Sequence, residues 1–161
     1  MFNGKRAMEY SLSRNETEIL AALQSDARQT NRALAQTVGL AASTTLDRTR
    51  DLERREVITG YHAAVDLRSL GRRLQAFVSV RVSPKSEEVV DRIVDHLWSL
   101  SETIAVFLVT GGDDLLIQVA VRDSDHLRDV VVAEIASLDG VVDETTSLIF
   151  EHRRKTVIEP L

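Results

Sequence analysis

An α+β protein in two parts is what this sequence predicts, with three short helices first and a βαββαβ unit after them. Three observations carry that reading. Between Ser13 and Arg55, apolar residues recur at i, i+3 and i+4 in three short runs. From Leu74 the pattern changes to strict alternation, the signature of a half-buried strand, and helical and alternating runs then follow in turn. The charge also divides along the chain. Residues 1–62 hold nine Lys/Arg against eight Asp/Glu, and residues 63–161 hold eleven against seventeen.

Residues 1–12 lack sustained periodicity and are expected to form a flexible tail. Ser13 and Glu16 then make a Ser-x-x-Glu capping box ahead of Ile19, Leu20 and Leu23, so a first helix should run to about Asp26. Thr30 can cap a second helix, in which Leu34 and Val38 share a face beside Ala33 and Ala35 and which Gly39 ends. A third stripe, Leu46, Thr49 and Leu52, stops near Arg55; its other face carries Ser43, Thr44, Asp47, Arg48, Asp51 and Arg54. Two short helices joined by a glycine-containing turn form a helix-turn-helix, whose second helix enters the DNA major groove. The same hairpin also serves as a plain packing unit. The DNA reading is favoured because hydroxyls and guanidinium groups bond phosphates and base edges. Arg28 to Arg55 also holds six arginines against three acids. Val57 to Val65 reads as a strand leading out of this 13–65 unit, and residues 66–73 read as a linker.

In residues 74–161, Leu74, Ala76, Val78, Val80 and Val82 alternate with polar neighbours until Pro84 ends the strand. Val89, Val90, Ile93, Val94 and Leu97 predict an amphipathic helix with Glu87, Glu88, Asp91, Arg92 and Asp95 outside. A strand from Thr103 to Thr110, a hairpin turn at Gly111-Gly112-Asp113-Asp114 and a strand from Leu115 to Val121 come next. Leu127, Val130, Val131 and Ile135 predict a second helix closed by Gly140, and Val141 to Phe150 a last strand. The order is that of a ferredoxin-like split βαβ sheet with both helices on one face. Its other face would carry Phe77 and Ile149, and such a face usually finds a partner.

Composition narrows the function. No apolar run approaches the ~20 residues that span a bilayer, and no signal peptide precedes the first helix. A soluble chain in the cytoplasm, associated with the nucleoid, is therefore expected. With no cysteine there are no disulfides, thiolate metal sites or thiol nucleophiles. A net charge of −5 argues against indiscriminate nucleic-acid binding, and the acidic burden lies away from the candidate DNA surface. No HExxH, GxSxG, phosphate-binding loop or metal-ligand spacing occurs. His62 reads as structural, His96 and His126 as solvated, and His152-Arg153-Arg154-Lys155 as a solvated basic end. Asp113 and Asp114 lack the further ligands that a metal or acid/base site requires. No enzyme activity, metal or cofactor is expected.

Several pieces in order resemble the leucine-/asparagine-responsive (Lrp/AsnC, feast/famine) family of transcription regulators: Leu34-Ala35 with Val38-Gly39-Leu40, Arg50-Asp51-Leu52-Glu53, Val57-Ile58-Thr59-Gly60-Tyr61-His62, and Val109-Thr110-Gly111 followed by Asp114. The resemblance covers about Ser13 to Leu161. It implies a winged helix-turn-helix, a C-terminal effector-responsive domain of the RAM/ACT-like kind, dimers built through the sheets, and tetramers or octamers of these. It also implies a small effector, usually an amino acid, bound between subunits near the Thr-Gly-x-x-Asp turn, here Val109, Thr110, Gly111, Gly112, Asp113 and Asp114. Three features depart from the family pattern. Ala41-Ala42 replaces the usual Ser-Pro, so Ser43 is expected to cap a helix that starts late. Asp47 stands where a base is common, as a solvated acid or as an acceptor for a cytosine amino group. Asp113 replaces an aromatic, and two adjacent carboxylates would favour a cationic effector or none.

The resulting expectation is a sequence-specific regulator of double-stranded DNA whose homo-oligomeric assembly responds to an effector. Arg48 with the hydroxyls of Ser43, Thr44 and Thr45 would read the major groove. Arg32, Arg50 and Arg54 would meet phosphate or make internal ion pairs, and Thr30 at the start of the second helix is counted among the DNA-binding residues. A nucleoid-organising protein that wraps DNA is the alternative. A third reading is an enzyme akin to the siroheme decarboxylases that resemble this family.

Overall fold

The computed structural model describes residues 11–161, so most of the segment expected to be a tail lies outside the described residues. Contacts divide the chain into two units: Val65–His152, and a helical unit of the residues up to Ala64 together with Arg153–Leu161. The sequence had placed that last segment with the sheet.

In the helical unit, α1 (Arg14–Ser25), α2 (Asn31–Val38) and α3 (Ala42–Arg54) surround Ile19, Leu34, Val38 and Leu52. The predicted capping box holds: Ser13 N–H donates to the Glu16 carboxylate at 2.7 Å while Ser13 Oγ accepts from Glu16 N–H. Thr30 Oγ1 accepts from Ala33 N–H, and Gly39 ends α2 at φ 67°, a left-handed conformation that costs glycine little.

The third helix differs from expectation in two ways. It begins at Ala42 with Ala41 at the cap and no side-chain cap bond, so Ser43 lies within the first turn instead of capping it. Asn31 Nδ2 reaches across the turn to the Ala42 carbonyl at 2.8 Å and ties the two helices together there. The buried face is also rotated. Thr45 and Leu52 are fully buried, whereas Leu46 is 36% exposed. Thr45 can be buried because its hydroxyl donates to the Ala41 carbonyl at 3.0 Å, which removes the cost of a bare polar group.

Beyond α3, Val57 and Ile58 pack on the helices, and both N–H groups donate to the Leu52 carbonyl. The strand expected over Val57–Val65 does not form. Its residue types suit a strand, but a ladder needs a partner edge, and none is present among the described residues of this unit.

The second unit has the predicted element order: β1 (Leu74–Val82), α4 (Glu87–Ser99), β2 (Thr103–Leu108), β3 (Leu115–Val121), α5 (Ser124–Asp129) and β4 (Val141–Leu148). After Asp129 the helix widens into a π-helical segment, Val130–Ile135, in which Ala136 N–H donates to the Val131 carbonyl. The sheet is antiparallel in the order β2-β3-β1-β4. One face, Ala76, Val78, Val80 and Val82 with Leu115, Ile117, Val119 and Val121, packs on Ile93 and Leu97 of α4 and on Leu127, Val130, Val131 and Ile135. Gly140 sits at φ 97°, and a Cβ there would lie 2.7 Å from Val89 Cγ1, so no larger residue fits without displacing α4.

No helix among the described residues covers the opposite face. Phe77 stands beside Gln118 on β3 and Ser147 on β4, and Phe107 stands beside Leu116. Phe107 is 44% exposed.

Candidate DNA interface and effector turn

The rotation of α3 decides which of its side chains can reach DNA. Ser43, Thr44, Asp47, Arg50 and Arg54 are exposed, and Arg48 is half-buried. Thr45 is removed from the candidate contacts by its complete burial and its bond to Ala41. Arg48 Nε is enclosed with no hydrogen-bond partner, so the stem packs into the unit. Arg32 and Arg50 make no ion pair among the described residues, which leaves both guanidinium groups available to phosphate. Arg54 is instead paired with Asp51, one turn back. Thr30 remains exposed while its hydroxyl caps α2.

Asp51 also accepts from Arg55 at 3.0 Å, and Arg55 in turn reaches Glu16 at the start of α1. Arg55 and then Arg54 hold the Asp51 carboxyl below its ordinary value. Ser13 hydroxyl and backbone N–H, with Arg55 behind them, bring Glu16 down to about 2 against burial that opposes the shift. This Glu16–Arg55–Asp51 link fixes the end of α3 to the start of α1. The sequence disclosed half of it as a capping box; the partner lies 39 residues on, at a distance no local pattern reports.

At the effector turn, Val109 N–H donates to the Asp114 carbonyl at 2.9 Å and Asp114 N–H to the Val80 carbonyl at 2.9 Å. Thr110, Gly111, Gly112 and Asp113 are exposed, and a Cβ on either glycine would meet open space. Asp114 points the other way. Its two oxygens accept from Lys85 Nζ at 2.6 Å and from Val82 N–H at 2.9 Å, and these, the lysine first, lower its pKa. Of the two adjacent carboxylates, Asp113 alone is exposed and Asp114 is taken by Lys85 and Val82 N–H, so one of the two charges behind the expectation of a cationic effector is already paired.

The two histidines expected to be solvated are half-buried: His126 Nε2 lies 3.2 Å from Glu102 in the turn before β2, and His96 Nε2 is enclosed 3.4 Å from Glu134 without a hydrogen bond. No group of three metal-ligating side chains occurs among the described residues. No helix among them is long and apolar enough to cross a membrane.

A three-helix reading head and a helix-covered antiparallel sheet with an open turn define a DNA-binding protein with a separate ligand-binding domain. Winged helix-turn-helix DNA-binding sequences match residues 12–59, and the Lrp/AsnC ligand binding domain matches residues 75–157. The HTH-type transcriptional regulator AldR of Mycolicibacterium smegmatis is 37% identical over 86% of this chain and 81% of its own. The leucine-responsive regulatory protein of Serratia marcescens is 30% identical over 97% and 95%. A transcriptional regulator of Neisseria meningitidis, solved in complex with L-Met, superposes with a TM-score of 0.86 at 27% identity, covering 93% of this chain and 97% of that one. The chain belongs to the Lrp/AsnC family of DNA-binding transcriptional regulators, and the relatives bear the names of regulators, not of enzymes.

Proposed function

We propose that two copies of this chain pair through the uncovered faces of their sheets and present two heads to half-sites about one helical turn apart on duplex DNA. A small amino acid held at the Val109–Asp113 turn then shifts the balance between dimers and larger assemblies. The observation that carries the reading is the partition of α3: Thr45 and Leu52 lie inward, and Ser43, Thr44 and Arg50 lie outward and unpaired. Arg48, Ser43 and Thr44 address base edges. Arg32 and Arg50 meet phosphates, and Thr30 stands beside them at the start of α2. A single head makes too few contacts for tight binding, which is why two-fold symmetry belongs to the proposal.

Fluorescence anisotropy against salt tests it. Binding by the wild type should fall steeply with salt, and a flat response would defeat the DNA reading. Arg48→Ala is expected to weaken operator binding by roughly 10- to 100-fold, about the worth of a bidentate base contact, and to relax preference at one base pair per half-site. Arg50→Ala should weaken all duplexes alike.

The effector follows from the turn. With Asp114 held by Lys85 and Val82, one exposed carboxylate and two bare glycines offer little to attract a second positive charge. A neutral amino acid suits this turn, in keeping with the L-Met complex of the neisserial relative. A thermal-shift screen of the twenty amino acids should therefore give hits among neutral side chains. A ligand at a hundred times its Kd raises stability by about 2.7 kcal/mol. Hits confined to Lys, Arg and His would overturn this assignment.

A further inference from the structure

The segment Arg153–Leu161 follows the last strand, yet its contacts group it with the helical unit. What holds it there is specific. The Gln24 side-chain amide on α1 makes a two-point bond to the main chain of Ile158: Gln24 Oε1 accepts from Ile158 N–H at 2.9 Å and Gln24 Nε2 donates to the Ile158 carbonyl at 3.1 Å. The pairing copies the bond pattern of a β-ladder with one side chain, so it fixes the backbone whatever side chain stands at 158. Apolar contact supports it, since Ile158 and Pro160 lie beside Leu12, Leu20 and Ala21 of the first helix and its approach. Ile158 also lines a second cavity with Leu20, Leu23 and the Thr59–His62 segment that follows α3. The tail thus lies along the same side of the unit as the chain leaving the recognition helix.

Charge gives this placement its meaning. Residues 11–64 carry seven arginines and seven carboxylates, so the helical unit without the tail is neutral overall. Arg153, Arg154 and Lys155 against Glu159 make the tail net +2. Residues 65–152 carry eight cations against sixteen carboxylates, net −8. The tail is therefore the source of all the excess positive charge in the described part of a unit that must approach polyphosphate. Arg154 and Lys155 are exposed and make no ion pair among the described residues.

We infer that the C-terminal segment is a second, sequence-independent DNA contact, in which Arg154 and Lys155 bind backbone phosphates and the Gln24–Ile158 clip holds them to the reading head. The inference rests on the DNA-binding role of the head. Each phosphate neutralised releases condensed counterions and adds about 0.9 to the slope of log affinity against log salt, so two contacts per head are worth about 1.8.

The test uses the full-length protein and compares wild type with Arg154→Ala/Lys155→Ala by anisotropy over a range of salt, on an operator duplex and on a random duplex. The double variant should lower the slope by about 1.8 per engaged head and weaken both duplexes by the same factor. Its melting temperature should stay at the wild-type value, because both side chains are exposed. A second double variant, Arg122→Ala/Arg128→Ala, removes the same net charge from the acidic domain and should leave the slope unchanged. Gln24→Ala keeps every charge but frees the tail, and should move affinity in the same direction as the loss of the basic pair. An unaltered slope in the Arg154/Lys155 variant overturns the inference, and so does an equal fall in the Arg122/Arg128 variant. A wild type with no salt dependence would instead defeat the DNA reading itself, so the two failures are separable.

Discussion

Phe77→Asp is expected to convert the protein to a monomer in sedimentation at micromolar concentration and to cut operator affinity by roughly two to three orders of magnitude. Phe77 sits at the middle of the uncovered sheet face, on the strand flanked by both β3 and β4, with Gln118 and Ser147 directly beside it. In a two-fold pairing of sheets one substitution appears twice, so two carboxylates enter one interface. Desolvating an unpaired charge costs several kcal/mol, enough on its own to empty a micromolar dimer at typical working concentrations. The fold should survive, because the side chain lies on the face away from Ala76, Val78 and Val80 and the helical layer. Near-ultraviolet circular dichroism would confirm that the sheet unit is intact. If the sheets pair as proposed, the DNA effect follows from separation of the two heads, since each monomer then binds one half-site alone. A dimer that persists in the variant would move the interface elsewhere, and a monomeric wild type would remove the need for one.

The elements that sequence made legible are those whose signals are local. The Ser13–Glu16 box, the Thr30 cap and Gly39 place the ends of α1 and α2 because each depends on atoms within a few residues. The alternation at Leu74–Val82 fixes the buried face of β1, since a one-residue slip would turn every side chain over. Where the outcome depends on distant partners, the sequence misled. Val57–Val65 has strand chemistry but, among the described residues of its unit, no edge to pair with. Thr45 looked like a donor for DNA, yet its hydroxyl is satisfied one turn back and the residue turns inward. Asp114 looked like one of two adjacent free carboxylates, but the Val82 N–H at the end of β1 and Lys85 in the loop after it take up both oxygens. Arg153–Leu161 is joined to α1 by a bond spanning 134 positions, and periodicity carries no trace of it. The exposed residues of α3 were therefore partly readable, because exposure follows helical phase. The turn between β2 and β3 was readable in position, but the pairing of Asp114 was not.

Glu16→Ala should lower the stability of the helical unit by about 2–3 kcal/mol at neutral pH, through loss of the reciprocal cap and of one carboxylate partner of Arg55. For a unit of this size that corresponds to a fall of about 10–20 °C in melting temperature. The variant should also change how stability depends on pH. Glu16 titrates near 4.5 in the unfolded chain and at about 2 in the folded one, so folding favours its ionised form. Its contribution is complete above about pH 4.5 and disappears as the pH falls from there towards 2. Wild type and variant should therefore differ most above pH 5 and converge on acidification across that window. Asp51 and Asp114 are also held below their ordinary values, so both proteins will still lose stability in acid; the diagnostic quantity is the difference between them. Glu16→Gln separates the two causes, since an amide can still accept from Ser13 N–H while presenting no charge to Arg55. It should retain part of the cap and lose the pH-dependent difference. Two curves running parallel from pH 6 to pH 2.5 would show that the Ser13–Glu16–Arg55 link does not hold α1 to the end of the recognition helix.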